Sequence, residues 1–175
     1  PRHASVAEWL STGTYGWLPS VGPRSRLDIT GVSMAYSEAL ASEISRFSCA
    51  AYESLLDAVN KESPARSLGW PLVRHYYATF YCAHALLRIN GISLTYLPAD
   101  IANKLNKIGG QYLGMSPQLS GGLYLIQRDN AHPQTLLLEK LGTGGGSHED
   151  MWKRFLVFLT DTENAIISSQ GTVPA

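Results

Sequence analysis

The sequence predicts a mainly α-helical fold: a single-domain bundle of four to five helices with an irregular N-terminal arm and a possible small hairpin. Over two long stretches, 33–60 and 70–91, apolar residues recur at steps of three or four, as they do on the buried face of an α-helix. The chain has 175 residues, 45% of them hydrophobic, which is enough for one substantial core and too few to expect two domains. We therefore expect an arm at 1–30 packed on a bundle at 31–170, followed by a frayed tail at 171–175.

The N-terminal arm is predicted to begin with a short helix, SVAEWL at 5–10, and to continue as a stretch interrupted by Gly and Pro. It contains three large aromatic residues, Trp9, Tyr15 and Trp17. A soluble protein seldom exposes so much apolar area, so packing of these rings onto the bundle is favoured over a partner-facing patch.

The two long helices are predicted to form an antiparallel hairpin. The first runs from about Ser33 to Asn60, and a short turn at 61–64 leads toward the second, which begins near Trp70 and ends at Asn90-Gly91. The apolar face of the first helix consists of Tyr36, Leu40, Ile44, Phe47, Ala51 and Leu55. The face of the second that should be buried consists of Val73, Tyr77, Phe80, His84 and Leu87.

Two further helices are predicted after the hairpin. One extends from Pro98 to about Ile108, with Gly109-Gly110 at its end, and the last begins at Ser147 with an apolar face that should close the bundle. Between them, the apolar runs of 111–140 fit either strands or buried helical turns, and a small hairpin is the less favoured interpretation.

Charge and cysteine content exclude several classes of protein. The chain has 14 basic and 14 acidic residues, so no overall field attracts nucleic acid or an anionic membrane. No apolar run approaches the ~20 residues that span a bilayer, which favours a cytoplasmic protein without membrane contact. Cys49 and Cys82 are expected to be small buried hydrophobic residues without a disulfide. No residue spacing indicates a metal site or a cofactor.

The second long helix carries a family resemblance. The segment HYYATFYCAHALLRINGIS at 75–93 resembles the helix of HEPN-domain proteins in which a Tyr-Tyr-Ala-x-Phe run precedes Ala-Leu-Leu and a glycine. The resemblance implies a helical bundle. It also implies a role as an RNase, a toxin or antitoxin partner, or an assembly module in a prokaryotic defence system.

The resemblance also implies where a catalytic site should be sought, because catalytic HEPN proteins have an Arg and a His separated by four to six residues. No Arg in this chain fits that spacing: Arg128 precedes His132 by three intervening residues, and Arg74 precedes His84 by nine. Arg128 and His132 are still the closest candidates, since Arg can hold a phosphate and His can move a proton near neutral pH. The alternative is a polar turn without catalytic function.

Further candidates for binding lie on the same helix. Arg74 and Arg88 could contact phosphates or pair with acids on adjacent helices, while Tyr77 and Tyr81 could stack on nucleobases or pack at an interface. His84 shares the apolar face, which favours a core imidazole bonded to a neighbouring helix over a catalytic base.

Together these observations predict an assembly or regulatory module of a prokaryotic defence or toxin-antitoxin complex that acts through protein-protein contacts. Its partner would be a larger effector chain or a second copy in a homodimer, and RNA is a possible ligand. The main alternative is a metal-independent endoribonuclease with a divergent site at Arg128 and His132. A nucleotide-binding bundle that uses the glycine-rich segment 142–147 is the least favoured.

Overall fold

The computed structural model describes residues 5–59, 69–142 and 146–170. The elements, in chain order, are α1 (Val6–Leu10), β1 (Gly16–Val21), β2 (Arg24–Asp28), α2 (Ser33–Val59), α3 (Gly69–Ile89), β3 (Ile92–Leu97), α4 (Ala99–Leu113), β4 (Gly122–Arg128), β5 (Thr135–Lys140) and α5 (Ser147–Gln170). The chain divides into two compact units, Pro1–Leu141 and Gly142–Ala175. The first unit holds every element up to β5, and the second holds α5. The predicted tail at 171–175 and turn at 61–64 lie outside the described residues.

The five strands form one antiparallel sheet in the order β1-β2-β5-β4-β3. The prediction of a mainly helical bundle is therefore wrong, because the fold is α+β. The burial pattern of an interior strand explains why sequence periodicity did not predict the sheet. The interior strand β4 buries the successive residues Tyr124, Leu125 and Ile126, so it reads as a continuous apolar run without the alternation that marks a one-sided strand.

The stretch 11–30 is not an irregular arm, since it supplies β1 and β2, and β2 is an interior strand paired with β5. Pro19 lies in the edge strand β1 where the pairing register shifts between Leu18 and Val21. An edge position and a bulge are the two places where a strand accepts proline. This accounts for a strand in a segment whose Gly and Pro content predicted a loop.

The core of the first unit lies where α1, α4 and the start of α2 pack with the sheet. Trp9, Tyr15 and Trp17 are all buried, so the prediction that these rings pack on the rest of the protein is confirmed. The Trp9 ring centroid lies 5.1 Å from that of Tyr36 on α2 and 5.2 Å from that of Tyr15. Aromatic contacts therefore join the N-terminal segment to the long helix.

The predicted helical hairpin is present as α2 and α3, but its faces are buried over only part of their length. On α3, Phe80, His84 and Leu87 are buried as predicted, whereas Val73 and Tyr77 are exposed. On α2 the burial of the predicted face likewise ends at Ala51. Helical periodicity identifies the apolar face of each helix but does not show how far along it the rest of the protein extends.

Two other local predictions are also corrected. Helix α4 continues through Gly109 and Gly110 to Leu113, and ends at Gly114 with a left-handed backbone (φ +68°). Cys49 and Cys82 are exposed, not buried. Both cysteines lie on exposed faces of long helices, Cys49 in α2 and Cys82 in α3.

In the second unit, α5 begins at Ser147 as predicted and continues to Gln170. Its first turn contains Glu149, which forms an ion pair with Lys153 one turn later. The distance from Lys153 Nζ to Glu149 Oε1 is 2.6 Å. Along the predicted apolar face, Trp152 and Phe155 contact each other edge to face, whereas the later residues Leu156, Leu159 and Ile166 are exposed.

Candidate functional site

The structure places the seven residues predicted for catalysis or binding in three different surroundings. Arg74, Tyr77 and Tyr81 lie toward the start of α3, at one end of the α2–α3 hairpin. His84 and Arg88 lie toward the other end of the hairpin. Arg128 and His132 lie at the end of β4 and in the turn that follows it. The first group lines a groove on the surface of the hairpin.

That cavity is a groove of 350 Å³ between α2 and α3. The guanidinium of Arg74 lies 5.6 Å from the centroid of the Trp70 ring, at a distance that allows a cation–π interaction. The Tyr77 and Tyr81 rings are 6.0 Å apart, one helical turn from each other. The groove is lined by Glu53, Ser54, Trp70, Val73, Arg74, Tyr77 and Tyr81. It combines aromatic surface with one basic and one acidic side chain.

Most of the residues that line the groove lie in one part of the hairpin, which we call the distal half and define as residues 52–56 of α2 and 69–77 of α3. No residue in these two segments is buried. Eight of them are large apolar side chains with 38% to 67% of their surface exposed. These are Tyr52, Leu55, Leu56, Trp70, Leu72, Val73, Tyr76 and Tyr77.

At the other end of the hairpin, Arg88 and Glu43 form a buried ion pair between α3 and α2. The side chains are 2% and 5% exposed, and Arg88 Nε donates to Glu43 Oε2 over 2.5 Å. Glu43 Oε1 accepts from the backbone N–H of Val6 in α1, while Arg88 Nη2 donates to the carbonyl of Leu94 in β3. One charge pair thus connects three helices and the sheet.

His84 is a further member of this buried network. Its Nδ1 lies 2.9 Å from Arg88 Nη1, which can only donate, so Nδ1 accepts and the ring proton of neutral His84 is on Nε2. The ring stacks on Phe47 of α2 at 4.7 Å. His84 is buried, as expected for a core imidazole, and its contact with Arg88 lies within the same helix.

Burial and the neighbouring carboxylate have opposite effects on the pKa of Arg88. Burial lowers the pKa of its guanidinium, and the adjacent Glu43 carboxylate acts in the opposite direction. Arg88 also lies above the Phe47 ring, with 4.4 Å between the guanidinium carbon and the ring centroid. Each of the three guanidinium nitrogens of Arg88 therefore donates to at least one acceptor, as a buried cation requires.

The predicted catalytic pair occupies the turn between β4 and β5. Arg128, the last residue of β4, lies 5.8 Å from the centroid of the Tyr36 ring and donates long hydrogen bonds to Pro133 O and Ser37 Oγ. His132 is 66% exposed and its Nδ1 is 3.4 Å from Asp129 Oδ2.

Polar contacts hold this turn together, with the backbone N–H of Ala131 donating to Asp129 Oδ1. The backbone N–H of Ala131 and the neighbouring His132 lower the pKa of Asp129. The backbone also closes on itself here, since Thr135 N–H donates to the carbonyl of His132. Arg128 and His132 are each engaged in contacts that shape the turn.

Sequence reasoning did not assign Glu43, Phe47 or Trp70 to a candidate site. Glu43 had a detectable signal, because it lies three residues after Leu40 and four before Phe47, within the apolar face of α2. A carboxylate at such a position needs a buried cation, and Arg88 was already a candidate to pair with an acid on an adjacent helix.

Within the described ranges, no group of His, Cys, Asp or Glu side chains is arranged to hold a metal ion. None of the described helices combines the length and apolar character needed to cross a membrane. Comparison with protein-family models, with curated proteins and with solved structures found no significant match.

Proposed function

We propose that this protein is an assembly or regulatory module that acts through protein-protein contacts made by the distal half of the hairpin. The observation that supports this proposal is the exposure of eight large apolar side chains on that half. An aromatic side chain has roughly 150–250 Å² of surface. With a value at the lower end of this range for Leu and Val, the exposed fractions correspond to about 700 Å². The largest apolar patch of a typical monomer is about 300–600 Å².

The composition of this surface also fits a protein interface. Three tyrosines and a tryptophan account for half of the eight side chains, and interfaces are enriched in aromatic residues. Tyr76 packs edge to face on Tyr77 at 5.5 Å and stacks on Phe80 at 6.2 Å, so these rings already hold one another in place. Side chains ordered before binding lose less conformational entropy on association.

The buried ion pair gives the hairpin a fixed base. Glu43 and Arg88 bond to α1 and β3 as well as to each other. The end of the hairpin opposite the distal half is therefore fixed to the rest of the first unit. In this proposal, the sheet and the Glu43–Arg88 network hold the distal half in position, and the distal half binds the partner protein.

The proposal includes a biological setting, which rests on the resemblance of α3 to the HEPN helix. We propose a prokaryotic defence or toxin-antitoxin complex in the cytoplasm, with a larger effector chain or a second copy as partner. The five-stranded sheet is not part of what that resemblance implies. The proposal therefore depends on α3 and its exposed surface.

A pair of variants on one helix tests the proposal. Leu72 and Leu86 both belong to α3 and are 67% and 46% exposed, but only Leu72 lies in the distal half. Tagged wild-type, Leu72→Asp and Leu86→Asp chains are expressed in the native host, and the copurified proteins are quantified by mass spectrometry. We expect one stoichiometric protein, or the chain itself, to copurify with wild-type and Leu86→Asp and to be lost with Leu72→Asp. Equal recovery with all three chains contradicts the proposal.

The endoribonuclease alternative is tested separately. If Arg128 and His132 cleave RNA, Arg128→Ala and His132→Ala each abolish cleavage and leave the melting temperature unchanged. Cleavage that persists in both variants excludes this site.

A further inference from the structure

We infer that the partner of the distal half is a second copy of this chain, bound with two-fold symmetry. This inference rests on the proposed function and specifies its partner. It is carried by the area of the surface and by the charges at its groove, both of which suit self-association.

The area fits a dimer of this chain. A specific interface of standard size takes about 800 Å² from each partner. The exposed apolar side chains of the distal half amount to about 700 Å² by the estimate given above. Together with the groove residues Glu53, Ser54 and Arg74, the apolar side chains supply most of what one subunit must contribute.

The charges make the surface complementary to itself. Glu53 on α2 and Arg74 on α3 both line the groove, on opposite helices. A two-fold axis turns the same surface of one copy onto that of the other, so that residue i meets residue j and residue j meets residue i. Arg74 of each copy can then lie opposite Glu53 of the second copy.

A strongly charged partner fits this surface less well. A surface with one acid and one base gives neither an acidic nor a basic protein an electrostatic advantage. The net charge of the whole chain is also zero, so two copies do not repel each other. Self-association thus brings opposite charges together between the two chains and covers the apolar side chains at the same time.

Two charge reversals test the inference with the full-length protein. Glu53→Arg leaves two basic side chains at the groove and Arg74→Glu leaves two acidic ones, so each variant alone should repel its own copy. Mixing the two variants restores opposite charges between chains, while the charges within each chain remain alike. Sedimentation equilibrium at micromolar concentration gives the mass of each sample.

We expect wild-type protein at twice 19.1 kDa, each single variant shifted to the monomer, and the equimolar mixture returned to the dimer. Circular dichroism of each variant checks that the fold is intact. A wild-type monomer overturns the inference, and so does a dimer that neither reversal weakens. Either result leaves the proposed function standing if Leu72→Asp still loses a different copurified protein in the native host. If Leu72→Asp changes neither mass nor copurification, the proposed function fails as well.

Discussion

Arg88 and Glu43, 45 residues apart in the chain, form an ion pair in which both side chains are almost completely buried. The pair lies where α1, α2, α3 and β3 meet, and all four elements bond to it. A buried charge pair is not by itself a strong source of stability, because both ions lose their hydration. Its role follows from its position: it fixes the base of a hairpin whose distal half we propose to bind.

Removal of one member of this pair should be costly. Glu43→Gln keeps the size of the side chain but leaves the Arg88 cation buried without its counter-charge. We expect the free energy of unfolding to fall by about 3–5 kcal/mol, as measured by urea denaturation. Arg46→Ala is the control, because Arg46 also lies near Glu43, at 3.9 Å, but is 58% exposed.

The same pair permits a coupling measurement. Arg88→Met combined with Glu43→Gln removes both charges, so the double variant should lose less stability than the sum of the two single variants. Additive losses indicate that the two side chains contribute independently and contradict the network described above.

Helix α4 offers a sharper packing prediction, because two adjacent glycines in it have different neighbours. A Cβ on Gly109 would lie 2.8 Å from Pro117 Cγ and 3.2 Å from Trp17 Cδ2, whereas a Cβ on Gly110 meets nothing closer than 3.9 Å. We expect Gly109→Ala to lower the free energy of unfolding by about 1–3 kcal/mol, since neither ring can move aside easily.

Gly110→Ala is the matched control for this packing prediction. It should be neutral or stabilising by up to ~1 kcal/mol, because alanine is the better helix former. Chemical denaturation of both variants makes the comparison. Equal effects of the two substitutions contradict the close approach of α4 to Trp17 and Pro117.

The sequence predicted the long helices better than it predicted the sheet or the site. The starts of α2, α3 and α5 follow from periodicity and capping signals, which are local. The strands depend on pairing between distant segments, as when Leu27 of β2 lies opposite Leu136 of β5. A short apolar run does not specify which distant segment it pairs with. In addition, β1 contains Pro19, which argues against a strand in the sequence.

The candidate site was predicted only in part, for a related reason. Arg74, Tyr77 and Tyr81 share one helix, so their spacing brings them to one groove. Glu53 and Ser54 reach the same groove from α2, across the hairpin. Their contribution depends on the register between two helices, which the pattern of either helix alone does not specify.

The cysteines provide a direct test of helix orientation. Cys49 and Cys82 are both exposed and not paired in a disulfide. We expect two thiols per chain to react rapidly with a chromogenic thiol reagent under native conditions. Cys49→Ser and Cys82→Ser should each remove one rapid equivalent. Thiols that react only after a denaturant is added contradict the exposure of these helix faces.

Two buried tyrosines should make the fold sensitive to alkali. Burial raises the pKa of Tyr15 and of Tyr36 well above the usual value near 10. In the unfolded chain both phenols lose their protons above about pH 10, while in the fold they stay neutral, so the unfolded state then binds fewer protons than the folded one. Stability is therefore complete below about pH 10 and falls as pH rises beyond it, by about 1.4 kcal/mol per pH unit for each tyrosine.

Tyr36→Phe distinguishes this effect from general alkaline denaturation. The Tyr36 hydroxyl is buried without a hydrogen-bond partner among the described residues, so its removal should cost little at pH 7. Above pH 10 the variant should lose stability less steeply than the wild type, by the contribution of one phenol. Tyr112→Phe, at an exposed position of α4, is the control and should leave the slope unchanged. Urea denaturation at pH 7 and at a series of values above pH 10 measures both slopes, and parallel curves for wild type and Tyr36→Phe contradict the burial of this hydroxyl.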